Sequence, residues 1–567
     1  MNDRYLRIME SSLSAYPDPH IRRYLDEVKQ NGLTEHGFPR LTANIGILLS
    51  HGIRADLAPL FREMMDLCCE QIPKVKAAND FSVREIVCCL SELETAGLFT
   101  EDTPRWKSDL TTIVPETCYN CYATKPESGV RNWALFTAVS EYFRQDIGLC
   151  DTRDFIDLQL QVQLKWLDEN GLYCDAGGYA HQPIMYDHVS RGLFALLLHK
   201  GYRGKHYAAI DAALRKAGLC TLAMQSVTGE MAFGGRSNQF LHNEGWLAAI
   251  LEYEANRYKR EGDLPLAARF KSAALRAVEA AEGWLSRTPI RHVKNRYPTD
   301  TRYGCEGYGY FDKYMITAAS NFYAASLICD VSIPAVPSED AEPTAFLTSD
   351  RFHKFFLKAG GYGLEFDLNA DPHYDATGLG RLHRIGAPSA ICLSMPCAVD
   401  PLYTLDIEGE APTERVPLSL CPAVKRDGEW LFGADPAVTC RVESYAATGT
   451  AAETTLTYEF PATDTETAVI VTARYRVSSD GVTVTLTGDG DLAHALPAFA
   501  FDGETAPSFT AEPQALTVFY EGWLCRYTAD CPIENTGKTA ANRNGRYAVF
   551  AARALGTLTV RVEIIKA

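Results

Sequence analysis

Apolar residues recur every three or four positions through the first 330 residues of this chain and every second position beyond about residue 345, and one kind of secondary structure cannot satisfy both periods. In the first part Leu60, Phe61, Met64, Leu67 and Cys68 form one stripe, with Pro59 suited to the first helical turn just ahead of it. Further stripes predict helices over 131–149, 154–168, 190–200, 206–225, 240–260, 264–286 and 312–329, divided by Gly, Pro or Asn. In the second part Val482, Val484 and Leu486, and again Leu558, Val560, Val562 and Ile564, alternate with Thr, Arg and Glu, the pattern of strands with one buried face. Between them VSIPAVPSEDAEPTA, with three prolines, several acids and no period, reads as a linker. The expected fold is α+β multidomain: an (α/α) toroid of helical hairpins over 1–330, the linker over 331–345 and an antiparallel β-sandwich over 346–567.

A formal charge of −17 works against a nucleic-acid surface, which needs clustered Lys and Arg, but leaves room for an anionic ligand in a locally cationic cleft. The start, MNDRYLRIMESSL, is too charged for a secretory signal, and no apolar run approaches the roughly 20 residues that span a bilayer. The expectation is a cytoplasmic protein without membrane contact. Seventeen cysteines, partly in adjacent pairs such as Cys68-Cys69 and Cys88-Cys89, fit free buried thiols better than a disulfide framework. The CxxC from Cys118 to Cys121 lacks a second pair at zinc spacing, so neither metal nor cofactor is expected. The absence of GxSxG, of a phosphate-cradling GxxxxGK motif, of HExxH and of a well-placed GxGxxG weighs against seryl hydrolases, nucleotide enzymes and zinc proteases.

Chemistry-bearing residues gather in four runs. GLYCDAGGYAHQPIMYDHVSR, residues 171–191, holds Tyr173, Asp175, Tyr179, His181, Tyr186, Asp187, His188 and Arg191, and Gly177-Gly178 mark it as a loop feeding the apolar helix that follows. GGRSNQFLHNEGW, 234–246, puts Arg236, Asn238, His242, Asn243 and Glu244 at a helix start; i, i+4 spacing would set Asn238 and His242 on one face, where an anion is favoured. YGCEGYGYFDKYM, 303–315, offers Glu306, Tyr308, Tyr310 and Tyr314, an aromatic platform for sugars. NADPHYDATGLGRLHR, 369–384, with His373, Tyr374, Asp375, Arg381, His383 and Arg384, could reach from the sandwich to the toroid mouth. Each member alone also fits a helix cap, a packed tyrosine or a core histidine, so the clustering carries the argument.

Three segments, Asn132-Trp133 opening a helix in RNWALF, Gly171-Leu172-Tyr173 through Asp187-His188, and Gly235-Arg236-Ser237, resemble those of helical-toroid carbohydrate-active enzymes. The nearest likeness is to a bacterial toroid family catalogued as a domain of unknown function, and a more distant one is to heparinase II/III-like and chondroitin AC-type polysaccharide lyases. The order Asp175 then His181-Gln182 departs from the lyase pattern. The resemblance implies an enzyme that breaks down anionic, uronic-acid-containing poly- or oligosaccharides by β-elimination. In that reading Asn238, Asn243 or Arg236 neutralises the uronate carboxylate, His188 or His242 is the base, and Tyr186, Tyr308 or Tyr310 protonates the leaving oxygen. Trp133, Tyr179, His181, Arg191 and His373 would contact substrate, with Arg381 and His383 closing the cleft. The competing reading is an exo-acting glycoside hydrolase, a glucuronidase or unsaturated glucuronyl hydrolase, with the carboxyl pair Asp187 and Glu244 or Asp175 and Glu306. A non-catalytic glycan-binding protein stands third.

Overall fold

The computed structural model describes residues 2–179, 181–336, 342–409, 414–464 and 466–567. Fourteen α-helices occur among them: α1 (Asn2–Leu13), α2 (Asp18–Asn31), α3 (Gly37–Ser50), α4 (Ala58–Gln71), α5 (Asn79–Ala96), α6 (Thr103–Thr111), α7 (Pro115–Cys118), α8 (Trp133–Asp146), α9 (Arg153–Leu164), α10 (Met185–His199), α11 (Tyr207–Met224), α12 (His242–Glu261), α13 (Leu264–Leu285) and α14 (Phe311–Ile328). Six of these, α3, α5, α8, α10, α12 and α14, make an inner ring in which each packs on the next and α14 returns to α3. Helices α4, α9, α11 and α13 pack on α3, α8, α10 and α12 from outside, and α1 bridges α13 and α14.

Burial follows the apolar pattern of each helix. Outer α11 buries Ile210, Leu214, Ala217 and Thr221, a single stripe, whereas inner α12 buries every residue from His242 to Tyr258 and α14 every residue from Met315 to Ser326. Glycines let the inner helices approach: a Cβ at Gly192 would fall 2.2 Å from the Trp246 ring, and one at Gly245 2.6 Å from Asn321.

Two helix starts differ from the sequence expectation. Helix α10 begins at Met185 rather than near residue 190, because the break falls at Ile184, whose φ of 83° lies in the left-handed region. Tyr186, Asp187 and His188 therefore stand on a helix, not on a loop. Helix α12 begins at His242; Ser237 and Gln239 have φ of 55° and 64°, so Asn238 belongs to a left-handed turn and shares no helical face with His242.

After α14 the chain turns to antiparallel sheet. Strands β1 (Thr344–Leu347), β2 (Lys354–Ala359), β3 (Tyr362–Asp367) and β4 (Gly378–Arg384) form one four-stranded sheet, and the remaining strands, between Pro422 and Lys566, form a second. Its spine is the pair Gly481–Phe501 and Gly545–Lys566, with Val482 opposite Val562, Val484 opposite Val560 and Leu486 opposite Leu558, all buried. Phe355, Leu364 and Phe366 of the small sheet share one apolar core with Tyr475, Val484 and Val560 of the large one. This is the α+β architecture that the change of period implies.

The small sheet also grips the segment ahead of α12. Glu365 accepts from the Phe233 N–H at 3.0 Å, Asp375 from the Gly235 N–H at 2.6 Å, and Arg381 donates to the Met231 carbonyl at 2.9 Å. No helix among the described residues is long and apolar enough to cross a membrane.

Candidate active site

The inner ring holds a cavity of about 460 Å³, and all six inner helices give it residues of their first turn: Arg40, Phe81, Trp133, Tyr186, His242 and Tyr314, in chain order. The connections ahead of those helices add His36, Asn132, Arg236, Ser237 and Tyr308. None of the six helices has an N-cap side chain that takes up its first N–H groups. Glu35 accepts from two of those of α3, Gly37 and Phe38. Six helix dipoles thus end here with their positive ends toward the cavity. Arg40, Arg131, Arg236 and Lys313 line it against one carboxylate, Glu35, which Lys313 meets at 3.5 Å. A cationic cleft sits inside an acidic protein.

Ser237 is the hub of the polar wall. Its Oγ lies 3.3 Å from the Tyr186 hydroxyl and 3.2 Å from those of Tyr308 and Tyr314, and its N–H donates to Glu306 at 2.6 Å. Glu306 is in turn held by both Nη atoms of Arg543, from the sandwich. The Arg236 guanidinium stacks over the Tyr186 ring at 4.5 Å. The His242 ring lies 4.6 Å from that of Tyr314, centroid to centroid.

These groups hold defined protonation states. Burial, then the positive charges of Arg40, His292 and Lys294, pushes the His242 imidazolium down to about 3, so the ring is neutral near pH 7. His36 is lowered by burial, then by Arg40 and Lys313. Burial first, then Tyr186 and Glu306, raises the phenols of Tyr308 and Tyr314. Near pH 7 the cavity therefore presents neutral imidazoles and protonated phenols around a space that attracts anions.

Of the residues singled out from sequence, Trp133, Tyr186, Arg236, His242 and Tyr308 meet at this cavity. Others stand behind its wall, for identifiable reasons. His188 is buried with Nδ1 donating to the Ile184 carbonyl at 2.9 Å, and burial pushes it down to about 4. Asp187 is paired to Arg191 on both oxygens, and Arg191 spends its remaining contacts on Thr221 and Ala217. Glu244 takes the Lys294 ammonium at 2.6 Å. Asn238 donates to the Ala232 carbonyl, and Asn243 caps the turn between the Ser237 carbonyl and the Phe240 N–H. Asp175, like Glu306 a candidate carboxylate, is spent on the Asn132 backbone and side-chain amides.

The sandwich candidates also lie away from the cavity. Arg381 and His383 are buried at the joint, His383 with Ser226 at 2.7 Å, and hold the units together rather than close a cleft. His373 pairs with Asp400 at 3.3 Å, His181 is exposed beside His353, and Tyr310 is exposed beneath the Arg302 guanidinium; none lines the cavity. The Tyr179 side chain lies outside the described residues.

Arg40 and His36 were not picked out from sequence; Ser237 was named only within a family-like segment, and Tyr314 was noted without a role. The run Thr34 to Arg40, TEHGFPR, carries the same signature as the recognised ones, polar groups and a glycine crowded just before an apolar helix.

No protein-family model and no curated protein matches the sequence. Among solved structures, the chain is similar to a heparinase III, at 9% identity over 99% of this chain and 91% of that one, with a TM-score of 0.38. A chondroitin AC lyase of Streptomyces coelicolor A3, in complex with chondroitin sulphate, aligns at 11% identity over 99% and 83%, with a TM-score of 0.46. A type II terpene cyclase from Scytonema aligns over 57% of this chain and 98% of its own, at 12% identity and a TM-score of 0.29. The alignments with the heparinase III and the chondroitin AC lyase extend over nearly the whole of this chain.

Proposed function

We propose that this protein is a lyase that cleaves uronic-acid-containing oligosaccharides by β-elimination in the cavity of the toroid. The observation that carries the reading is the meeting of a neutral imidazole, His242, with the phenols of Tyr186, Tyr308 and Tyr314 in a cationic cavity that has one lining carboxylate. The uronate carboxylate binds toward Arg236 and the open helix ends, which withdraw its charge and acidify the neighbouring C5–H. The His242 imidazole takes the C5 proton. The electron pair left behind forms the C4–C5 double bond, the C4–O bond breaks, and a phenol of the Ser237 cluster protonates the departing oxygen. A base held near 3 is weak in the empty cavity, but an incoming carboxylate favours the imidazolium and raises its basicity when substrate is present.

Hydrolysis needs two carboxyl groups facing the scissile bond. Asp187, Glu244, Asp175 and Glu306 are all engaged in buried pairs, and none lines the cavity. The seventeen free cysteines, most of them buried, fit a reducing compartment such as the cytoplasm.

The test is a panel of uronide oligosaccharides followed by ultraviolet absorbance and product mass. The expected result is a conjugated chromophore with no gain of water, lost by a factor of about 10² to 10⁴ in His242→Gln with unchanged folding. Products one water heavier and without the chromophore would sink the reading.

A further inference from the structure

On the cavity wall, at the first turn of α3, the ring carries a charge imbalance. Arg40 of α3 donates to Glu85 of α5 from Nε at 2.9 Å and pairs through Nη2 at 2.9 Å, while Nη1 donates to Thr317 of α14 at 2.9 Å. Arg84 donates to the same carboxylate at 2.8 Å, and the Ser320 hydroxyl at 2.6 Å. All three charged side chains are deeply buried, with Arg40 5%, Arg84 3% and Glu85 4% exposed. Two guanidinium groups thus share one carboxylate, and Nη1 of Arg84 has no hydrogen-bond partner. Of the five N–H donors of Arg40, the contacts to Glu85 and Thr317 use three, and the side chain lines the cavity.

The surrounding groups do not cancel that charge: the one lining carboxylate, Glu35, pairs with Lys313 at 3.5 Å. His36 and His242, the two imidazoles on the cavity wall, are both held low by burial and then by Arg40, with no carboxylate acting against it. Nor does the lumen continue past this point: Asn44 bridges the Arg40 carbonyl and Ser320, and α3 is buried at every position from Gly37 to Leu49. Two buried cations against one anion are costly until another anion arrives. Arg40 lines the cavity, and an anion can reach it from there.

We propose that Arg40 seats the anionic group, carboxylate or sulfate, of the sugar at the end of the chain, so that the enzyme works from a substrate terminus. The proposal rests on the uronide reading of the site and adds the end of the polymer that it recognises. A guanidinium provides paired donors for either anion, and the closed lumen leaves no room for sugars beyond the one that reaches it.

Titration calorimetry tests the seat without turnover. The probes are a disaccharide ending in a uronate, its carboxyl-reduced alcohol, and the same neutral disaccharide with a terminal sulfate. Wild-type protein is expected to bind at least one anionic form about 10- to 100-fold more tightly than the neutral one. Arg40→Gln leaves Arg84 and Glu85 as a balanced pair, so it should fold and reduce that preference to within about threefold. Should it fail to fold, Arg40→Lys, which keeps the charge but loses the paired donors, is expected to weaken the same preference. On a long polyuronide, one small product should appear from the earliest time points. Equal binding of neutral and anionic probes, a preference that survives the Arg40 change, or a ladder of product sizes at the outset overturns the proposal. Anion preference without any chromophore would instead remove the lyase reading and leave the seat standing.

Discussion

Asp187 receives both Arg191 and the Tyr173 N–H, the latter at 2.7 Å, and has no exposed surface. Removing the charge from one side of such a pair leaves the other buried and uncompensated, at a cost of about 3–5 kcal/mol. Asp187→Asn is therefore expected to lower unfolding stability by about that amount in urea titrations, with little change in the rate per folded molecule. A variant that is inactive yet as stable as the parent would return Asp187 to the chemistry. The sequence displays Tyr186, Asp187 and His188 side by side but not which of them faces the cavity. That choice depends on where α10 starts, and the start is fixed by a left-handed isoleucine, a conformation that β-branched residues rarely adopt and that no local pattern announces. Once Met185 opens the helix, consecutive residues point about 100° apart, and one of the three reaches the cavity.

The connection from Met231 to Ser237 brings Arg236 and Ser237 to the cavity, and it is held at each step by residues far along the chain. Glu365 and Asp375 take its N–H groups, and Arg543 fixes Glu306, which takes the N–H of Ser237. Arg543 pins Glu306 but does not line the cavity, so it acts through position rather than by touching substrate. Arg543→Gln should loosen the Ser237 cluster and lower kcat by about 10- to 100-fold with a smaller change in KM, and Arg543→Lys should recover part of it. A rise in KM alone would mean that the pin serves binding instead. Helices were legible because their apolar stripes are local: 206–225 and 264–286 from sequence became Tyr207–Met224 and Leu264–Leu285. The far half of the site was not, since no local pattern brings Arg40 and Tyr314 together, and ring closure between α14 and α3 is what turns those positions toward one space.

The joint between toroid and sandwich makes a pH-dependent contribution to the stability of the whole molecule. Asp375, buried at that joint, is raised from 3.8 to about 7, first by burial, with Lys354 opposing and Asp367 reinforcing the shift. Between those two values the folded chain keeps a proton that the unfolded chain has released, so this group's contribution falls as pH rises from about 4 to about 7. The buried histidines act in the other direction. His188, His292 and His494 are lowered to about 4 and His242 and His383 to about 3, in every case chiefly by burial, so their contribution is lost as pH falls below 6.5. The histidines' share of the stability is expected to fall as pH drops below 6.5, against opposing shares from Asp375 and Glu254, both raised to about 7. Asp375→Asn keeps an oxygen for the Gly235 N–H and removes the ionisation. Its melting temperature should equal that of the wild type near pH 4, rise above it progressively, and hold a constant excess beyond pH 7, worth on the order of a few kcal/mol. Calorimetric scans at pH 4 to 8 decide the matter: a variant less stable than the wild type at pH 8 would mean that the ionised carboxylate, facing Lys354, stabilises the joint.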